Sequence, residues 1–302
     1  MNVSFVIPNY NGKHLLQKHL PAVFASARGG DEVIVVDDAS TDGSVKFIKT
    51  AFPQVRVIVQ QKNMRFAEAC NAGVRAAKHP LVFLLNTDVS PEKDALEYLV
   101  PHFEDKNVFA VGCLELDDTG KQSGRSSGSF QRGFLVHKRA ENQNASRTLW
   151  AAGGSMMVKK ELWEILGGMD RLFRPAYYED IDLSYRAQKL GYTVSFEPRA
   201  KVHHHHESTN PSALGKNRMQ IYAFKNSFLF IWKNVTDTQL LMQHLLWLPY
   251  HLVITEWRSS GFFILGFFMA IFQLPEVLYK RWLLQKRWKR TDKEVINRVN
   301  AI

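Results

Sequence analysis

Short apolar runs alternate with segments of helical period over the first 115 residues. Because the runs are continuous and rich in β-branched residues, they predict strands buried on both faces of a sheet. The predicted strands are Val3–Ile7, Val33–Val36, Val55–Val59, Leu81–Leu85 and Val108–Val111. The predicted helices are His14–Ala27, Ser44–Ala51, Phe66–Ala77 and Pro91–Phe103, the last with Ser90 as N-cap and Pro91 in its first turn. This alternation predicts an α/β fold with a mostly parallel central sheet and right-handed crossovers.

The pattern changes from Asp117 to Arg147, where Ser, Gly, Asn, Gln and Arg dominate and periodicity is weak. We expect this segment to be a long flexible loop, because such loops in compact domains are either functional or disordered. Regular structure is predicted to resume with the segment Trp150–Val158, followed by helices and a further strand. These elements are Lys160–Leu166, Ile181–Leu190 and Tyr192–Phe196.

Beyond about residue 215 the chain becomes helical, aromatic and apolar. Gly261–Gln273 is the most apolar stretch, but it is shorter than the ~20 residues that span a bilayer. Extending it backward meets Glu256 and Arg258, which are costly at membrane depth. Together with Leu240–Ile254 it predicts an amphipathic or apolar helical extension that lies in a membrane interface or re-enters it. Alternatively, these helices pack on the α/β domain or on a second copy of the chain in a homo-oligomer.

Composition is that of a globular protein, with 302 residues, 45 % hydrophobic and 23 % charged. This length accommodates one large α/β domain with an appendage, or two domains. The net charge of +10 is uneven, because from Glu276 onward eight Lys and Arg face three acids. Since Trp282 and Trp288 are interleaved with these basic residues, we expect an anionic membrane surface rather than nucleic acid as the partner.

Cysteine content and the start of the chain indicate the compartment. The two cysteines, Cys70 and Cys113, provide no disulfide framework and favour a reducing environment. A strand-like run, Val3–Ile7, begins almost at the first residue, and no signal peptide is recognisable before it. We therefore expect a peripheral or monotopic protein at the cytoplasmic face of the membrane.

Polar residues follow several of the predicted strands at their carboxyl ends, where open α/β sheets bind ligands. Asp37 and Asp38 end the second strand and are followed by Ala-Ser-Thr-Asp-Gly. Two carboxylates there can accept hydrogen bonds from a base or a ribose. In the alternative interpretation, Ser40 or Thr41 caps the next helix and both carboxylates belong to a turn.

The fourth strand delivers Asn86-Thr87-Asp88 to the same edge. Mg²⁺ and Mn²⁺ prefer oxygen ligands and often use one or two carboxylates together with substrate phosphates. One carboxylate, Asp88, therefore fits a metal site completed by a diphosphate. A single Asp after a strand is common, so this hypothesis depends on its convergence with Asp38.

Two further clusters lie in the second half of the chain. Glu179, Asp180 and Asp182 stand at a helix start, where the helix dipole stabilises negative charge. Since Asp180 and Asp182 are two positions apart, they lie on different faces. One is expected to face a cleft as a base while the others cap or pair, unless all three only complement the dipole. The second cluster is His203–His206, whose internal position argues against a purification tag and from which one imidazole can reach the metal of Asp88.

Seven motifs, taken together and in order, resemble the inverting family-2 glycosyltransferases with the GT-A fold over about residues 1–230. The lipopolysaccharide and rhamnosyltransferase branch is the most similar. The motifs are IPNYNG, VVDDASTDGS, NMRFAEACNAG, VFLLNTDV, AAGGSMMVKKELWEILGGMDRLF, YYEDIDLSYRAQKLGY and EPRAKVHHH. The resemblance implies an enzyme that moves a sugar from a nucleotide-diphosphate sugar to an acceptor hydroxyl. The expected acceptor is a saccharide, in particular a lipid-linked one used in cell-surface polysaccharide synthesis.

The resemblance also implies roles for individual residues. Asp180 is the catalytic base, and Asp88 and His204 bind Mg²⁺ or Mn²⁺, with His203 and His205 as alternatives to His204. The resemblance places Asp38 at the nucleotide base, with Pro8 and Tyr10 beside it. We add Asp37, Arg65, Asn86 and Asp88 to the predicted donor-binding residues. We expect Trp150, Gly154 and Glu179 to bind the acceptor.

The chain departs from the family pattern at two of these positions. Asn86 replaces the first acid of the Asp-x-Asp metal motif, which implies a modest metal affinity. Arg65 replaces a glycine that this branch usually carries. Its guanidinium either clamps phosphate or ribose in a bidentate manner or fills the surface.

The predicted organisation is a GT-A catalytic domain over residues 1–215 and a membrane-associating helical region over residues 216–302. Within the domain, residues 1–115 form the nucleotide-binding half and residues 116–215 the acceptor half. A nucleotidyltransferase is an alternative, but it requires a Gly-rich, basic phosphate loop that Asn9–Gly12 does not supply. A non-catalytic membrane-associated scaffold is a second alternative. The joint presence of Asp38, Asp88 and Asp180 argues against a scaffold.

Overall fold

A computed structural model describes residues 1–205 and 215–300, and a nine-stranded sheet lies at its centre. The strands of this sheet are β1 (Val3–Asn9), β2 (Glu32–Asp37), β3 (Arg56–Val59), β4 (Leu81–Leu85), β5 (Val89–Pro91), β6 (Val108–Leu116), β7 (Gln122–Ser123), β10 (Ser155–Lys159) and β11 (Thr193–His204). Their order across the sheet is β3-β2-β1-β4-β10-β6-β11-β5, with β7 beside β6. Strands β1 to β4, β6 and β11 run in one direction, whereas β10, β5 and β7 pair antiparallel to their neighbours. The predicted mostly parallel α/β sheet is confirmed.

Helices cover both faces of this sheet, because its strands bury alternate residues in two separate cores. In β4, Phe83 belongs to one core and Leu84 to the other, which explains why the strand is apolar throughout. The helices are α1 (Lys13–Ser26), α2 (Ser44–Ala51), α3 (Phe66–Ala76), α4 (Ala95–Leu99), α5 (Lys160–Leu166) and α6 (Glu179–Lys189), with short 3₁₀ turns at Val100–Glu104 and Arg171–Phe173. Helices α1, α2 and α4 pack on the first core, and α3, α5 and α6 on the second.

The helix predicted over Pro91–Phe103 begins later than expected. Pro91 ends β5, where it pairs with Val202 of β11, and α4 begins at Ala95. Proline is tolerated there because β5 lies at the edge of the sheet, so its missing N–H breaks no ladder. Ser90 does not cap a helix, since its hydroxyl contacts Nδ1 of His19 at 2.8 Å. The predicted first turn is therefore wrong.

The prediction of a flexible loop over Asp117–Arg147 is also wrong. The segment contains β7 and a hairpin formed by β8 (Ser126–Gln131) and β9 (Phe134–Arg139). Two residues with positive φ, Arg132 and Gly133, make the two-residue turn that matches strand twist. The periodicity is weak because few hairpin residues are buried. The apolar side chains of the hairpin pack against the C-terminal helices.

The last third of the chain is helical and packs on the α/β domain. Its helices are α7 (Lys216–Asn234), α8 (Thr238–Tyr250), α9 (Glu256–Ser259), α10 (Phe262–Ile271), α11 (Leu274–Gln285) and α12 (Asp292–Asn300), with a π-helical turn at His251–Thr255. Helices α10 and α7 approach each other closely at Gly266. Any larger residue there would clash, since its Cβ would lie 2.7 Å from Cβ of Phe224. The predicted domain boundary adjoins residues 206–214, which lie outside the described residues, and it stays a prediction.

The inner and outer faces of these helices differ. Residues Phe228–Ile231 of α7 are fully buried, so part of the region is a packed layer, as in the alternative interpretation of the sequence. On the outer face, Trp257 is 80 % and Phe272 84 % exposed. Within the described chain, individual helices are too short or too polar to cross a bilayer. Helices α10 and α11 together have the required length and composition, but they are bent by 62° at the break between them.

Candidate functional site

The carboxyl ends of β1, β2 and β4 open into a cavity of about 340 Å³. The start of α6 and the end of β11 close its other side, so residues from distant parts of the chain meet there. The predicted site residues that line the cavity are Pro8, Tyr10, Asp38, Arg65, Asn86, Asp88, Gly154, Glu179, Asp180 and His204. The rule that ligands sit at strand ends therefore located most of the candidate residues.

Two predicted residues are not among those lining the cavity. Asp37 is buried beneath the β2 end, where its carboxylate accepts hydrogen bonds from Nδ2 of Asn9 and from the Ser40 N–H, both at 2.9 Å. Its turn-forming role was the alternative interpretation of the sequence. Trp150 packs edge-on against His137, with ring centroids 5.1 Å apart, beside the core shared with the C-terminal helices. The predicted ligand contacts of Asp37 and Trp150 stay predictions.

Asp38 anchors the loop before α3. Its two oxygens accept hydrogen bonds from the N–H groups of Met64 at 2.6 Å and Arg65 at 2.7 Å. Burial raises the pKa of Asp38 although these N–H groups favour the carboxylate. Each carboxylate oxygen keeps a second acceptor position, so Asp38 can still receive a hydrogen bond from a ligand in the cavity.

Arg65 adopts an unusual backbone conformation, with φ +72° and ψ 171°. This region is essentially restricted to glycine and costs a larger residue about 1–3 kcal/mol. The hydrogen bond from its N–H to Asp38 holds the strained conformation, and Arg65 is among the residues that line the cavity.

Asp88 is a buried carboxylate. It is 0 % exposed, and neither of its oxygens has a hydrogen-bond partner among the described residues. His204 lies beside it, with Nε2 3.7 Å from Oδ1 of Asp88. An ionised buried carboxylate is costly unless it is paired or binds a metal.

Glu115 completes this cluster, and the sequence analysis missed it. Its carboxylate accepts a hydrogen bond from the Ser155 hydroxyl at 2.5 Å and contacts Nδ1 of His204 at 3.3 Å. A carboxylate on one ring nitrogen that leaves the other directed at a site is typical of metal-binding histidines. An acid in the otherwise apolar strand β6 was the available signal.

The residues of this cluster fit part of the ligand set of a divalent cation. Within residues 1–205 and 215–300, no three His, Cys, Asp or Glu side chains form a complete metal site. Asp88 and His204 can supply two ligands, and phosphate oxygens can supply others, as is common for Mg²⁺ and Mn²⁺.

The neighbours of His204 in the histidine run point elsewhere. Nε2 of His203 contacts Glu92 at 3.3 Å, whereas His205 stacks on His19 and contacts Asp118. Among the described histidines of this run, His204 lines the cavity. His206 lies outside the described residues.

The three acids at the start of α6 take different positions. Asp180 faces the cavity, and its carboxylate accepts hydrogen bonds from the Gly153 N–H at 3.1 Å and the Ile181 N–H at 2.8 Å. Asp182 points away and is held by Arg186, Lys233 and Asn234. The predicted division between a cleft-facing acid and a paired acid is therefore present in the structure.

Electrostatics separate Glu179 from Asp180. Burial, together with the charge of Asp180, raises the pKa of Glu179 to about 8. Burial also raises the pKa of Asp180, but the Gly153 and Ile181 N–H groups oppose this shift because they stabilise the carboxylate. At neutral pH Glu179 therefore keeps its proton next to an Asp180 that is arranged to carry charge.

Known proteins share this fold and sequence pattern. The chain is 24 % identical, over 224 residues, to the N-acetylglucosaminyl-diphospho-decaprenol L-rhamnosyltransferase of Mycobacterium tuberculosis, covering 64 % of the chain and 72 % of that relative. The first three curated relatives are matched over 25 %, 67 % and 43 % of their own length.

Two solved structures are similar over nearly the whole chain. S. aureus TarS 1–349 in complex with UDP-GlcNAc has a TM-score of 0.60 at 15 % identity, covering 100 % of this chain and 91 % of that one. The mannosyltransferase PcManGT of Pyrobaculum calidifontis, in complex with GDP-Man and Mn²⁺, has a TM-score of 0.57 at 18 % identity and covers 99 % and 86 %. The architecture is the GT-A fold with a helical C-terminal region.

The sequence profile of Glycosyl transferase family 2 matches residues 4–166. This match covers more than half of the chain and includes β1 to β4, β10 and most of the cavity. The chain is a glycosyltransferase, and it belongs to Glycosyl transferase family 2.

Proposed function

We propose that this enzyme transfers a sugar from a nucleotide-diphosphate sugar to an acceptor hydroxyl by a single inverting displacement, with Asp180 as the general base. The observation that carries the proposal is that Asp38, Asp88 and Asp180 line one cavity although they come from three separate elements. One carboxylate serves the nucleotide, one the diphosphate and one the acceptor.

The donor side lies at the ends of β1, β2 and β4. Asp38 accepts a hydrogen bond from the nucleotide, and Pro8 and Tyr10 flank the base. Asn86 and the guanidinium of Arg65 bind the diphosphate or the ribose. The likeness to structures that hold UDP-GlcNAc and GDP-Man supports a nucleotide-sugar donor.

Asp88 and His204 are the proposed ligands of a divalent cation, Mn²⁺ or Mg²⁺. The buried carboxylate of Asp88, which has no hydrogen-bond partner among the described residues, supports this assignment, as does the Mn²⁺ in the mannosyltransferase complex. When bound, such a cation acts as a Lewis acid that stabilises the departing diphosphate. Glu115 orients His204 for this role.

On the acceptor side, Asp180 removes the proton from the attacking hydroxyl. The hydroxyl oxygen forms a bond to the anomeric carbon, the bond from that carbon to the diphosphate oxygen breaks, and the proton ends on Asp180. The Gly153 and Ile181 N–H groups hold the carboxylate in position. Protonated Glu179, with Gly154, binds the acceptor.

A lipid-linked saccharide at the cytoplasmic face of the membrane is the proposed acceptor. The outer face of the C-terminal helices supports it, because Trp257, Phe272 and Trp282 are exposed there and the ammonium of Lys286 lies 4.6 Å from the Trp282 ring centre. Exposed aromatic side chains among basic residues suit an anionic lipid surface. The name of the mycobacterial rhamnosyltransferase also describes a lipid-diphosphate sugar.

Membrane association can be tested with anionic vesicles containing phosphatidylglycerol. Replacing both Trp257 and Phe272 by Ser should weaken co-sedimentation at least tenfold, whereas Val59→Ser, an exposed residue on the far edge of the sheet, should not. Equal binding by all three proteins would contradict the proposal. A homodimer that covers this face in solution would contradict it as well, and size-exclusion chromatography with light scattering detects that state.

The transferase activity is tested by incubating UDP-, GDP- and dTDP-sugars with Mn²⁺ or Mg²⁺ and saccharide or lipid-linked acceptors. We expect metal-dependent transfer from one nucleotide class, with the anomeric configuration of the product inverted when measured by NMR. A retained configuration would refute the single displacement. If the enzyme neither transfers a sugar from any of these donors nor hydrolyses any of them, the proposed donor class is refuted.

A further inference from the structure

The segment between the Arg171–Phe173 turn and α6 carries part of the cavity wall. Pro175, Ala176 and Tyr177 line the cavity, and Glu179 and Asp180 follow directly. Five main-chain carbonyl oxygens just before α6 accept hydrogen bonds from side chains of α7. They are those of Leu172, Phe173, Arg174, Ala176 and Tyr177.

Asn226 of α7 supplies a large share of these hydrogen bonds. Its Nδ2 lies 2.8 Å from the carbonyl oxygen of Phe173, 3.1 Å from that of Ala176 and 2.9 Å from that of Tyr177. The residue is 0 % exposed, so water cannot replace the amide. One side chain therefore holds three main-chain carbonyl groups within five consecutive residues.

Lys225 supports the same segment. Its Nζ lies 2.5 Å from the carbonyl oxygen of Arg174 and 3.4 Å from that of Leu172, and burial lowers its pKa to about 8. Burying an ammonium group without a carboxylate partner at hydrogen-bond distance is costly. The hydrogen bonds to these two carbonyls offset part of the cost of burying the Lys225 ammonium, and they tie the segment before α6 to α7.

The same helix also holds the other side of the Glu179–Asp180 pair. Two turns beyond Asn226, Nζ of Lys233 and Nδ2 of Asn234 each lie 2.8 Å from Oδ1 of Asp182. Helix α7 thus fixes the chain before the pair through main-chain carbonyls and after it through a carboxylate.

We infer that Asn226, assisted by Lys225, is a positioning residue that fixes the segment 174–178 so that Asp180 faces the acceptor hydroxyl. The inference rests on the proposed role of Asp180. It assigns to the C-terminal helices a part in the reaction that is separate from membrane binding. Since the donor residues lie on the β1–β4 side, loss of Asn226 affects turnover more than donor binding.

The test compares Asn226→Asp with Phe228→Leu in the full-length protein. Asn226→Asp keeps the shape of the side chain but removes two donors and directs a carboxylate at three carbonyls. Phe228 is equally buried on α7 and packs against Phe134, Trp232 and Phe263. It therefore serves as the matched control for general destabilisation.

We expect Asn226→Asp to lower kcat at least tenfold while the KM for the donor changes less than twofold. Phe228→Leu should lower the melting temperature with kcat within twofold. Hydrogen–deuterium exchange in a peptide covering residues 171–178 should rise in the first variant and not in the second. Lys225→Met, which keeps the aliphatic stem, should show the same pattern more weakly, and it replaces Asn226→Asp if that variant does not fold.

Two outcomes would overturn the inference. In one, hydrogen exchange in the segment rises but kcat stays within twofold of wild type. In the other, both variants lower kcat and donor affinity in equal proportion. If the wild-type enzyme transfers no sugar from any donor, the proposed function fails instead, and the exchange data still report whether Asn226 holds the segment.

Discussion

Nε2 of His204 lies 3.7 Å from Oδ1 of Asp88, and strand pairing creates this proximity. The antiparallel pairing of β5 with β11 sets His204 opposite Val89, the residue that follows Asp88. Glu115, on the strand next to β11, contacts the other ring nitrogen. Three paired strands of one sheet therefore hold Asp88, His204 and Glu115 together. Because this support is rigid, we expect substitutions in the cluster to change metal binding measurably.

Asp88→Asn should abolish most metal-dependent donor binding, because the amide removes the charge that a divalent cation requires. Glu115→Gln should have a smaller effect of about 10–100-fold on metal affinity, the range seen when a residue that orients a metal-binding His is removed. The measurement is a Mn²⁺ titration of donor binding by calorimetry. Unchanged Mn²⁺ affinity in Asp88→Asn would contradict the metal assignment.

Asp180→Asn should lower kcat about 10²–10⁴-fold, the usual contribution of a general base, and leave the KM for the donor nearly unchanged. Glu179→Gln should be milder, because Glu179 is already protonated at neutral pH and the amide can still donate a hydrogen bond. Steady-state kinetics with both variants checks this order. A normal rate in Asp180→Asn would show that another group accepts the proton.

Much of the fold and the donor side of the cavity could be predicted from local sequence. Continuous apolar runs such as Leu81–Leu85 identify buried strands whatever their neighbours are, and the strand ends then converge by topology. Asp38 and Asp88 were located in this way. The alternation of strands and helices predicted their place at the sheet edge, whereas their roles came from the resemblance to the family.

The remaining features depend on contacts between distant segments. The β8–β9 hairpin is stabilised by the C-terminal helices, for example where Phe134 packs edge-on against Phe228 at 5.1 Å, so its own periodicity is weak. Asn226 acquires a role only because α7 lies behind the segment before α6. Pro91 was misassigned because its position at a sheet edge is not a local property.

The pKa of Glu179 predicts a pH-dependent stability. This pKa is about 8 in the folded protein and near the ordinary 4.5 when unfolded, so the folded state binds more protons between these values. The stabilisation is therefore present below pH 4.5 and is lost as the pH rises toward 8, with a slope of at most about 1.4 kcal/mol per pH unit.

Glu179→Gln should remove this loss, so that the variant gains stability relative to wild type between pH 5 and 8. Urea unfolding at several pH values measures the difference. Asp42→Asn is a suitable control, because the pKa of Asp42 is lowered by hydrogen bonds from Ser44 and Lys13 despite partial burial. Its contribution is lost on acidification, which is the opposite sign. A pH-independent difference between Glu179→Gln and wild type would contradict the raised pKa.

Arg65→Gly should change stability and donor affinity in opposite directions. Relief of the positive φ of Arg65 is expected to stabilise the fold by about 1 kcal/mol, after allowance for the greater chain entropy of unfolded glycine. Loss of the guanidinium should raise the KM for the donor at least tenfold if it binds the diphosphate. Arg65→Ala separates the two effects, because it removes the guanidinium but keeps the strained backbone. Thermal unfolding and donor kinetics on both variants provide the measurement. A donor KM within twofold of wild type in both would mean that Arg65 only fills the surface.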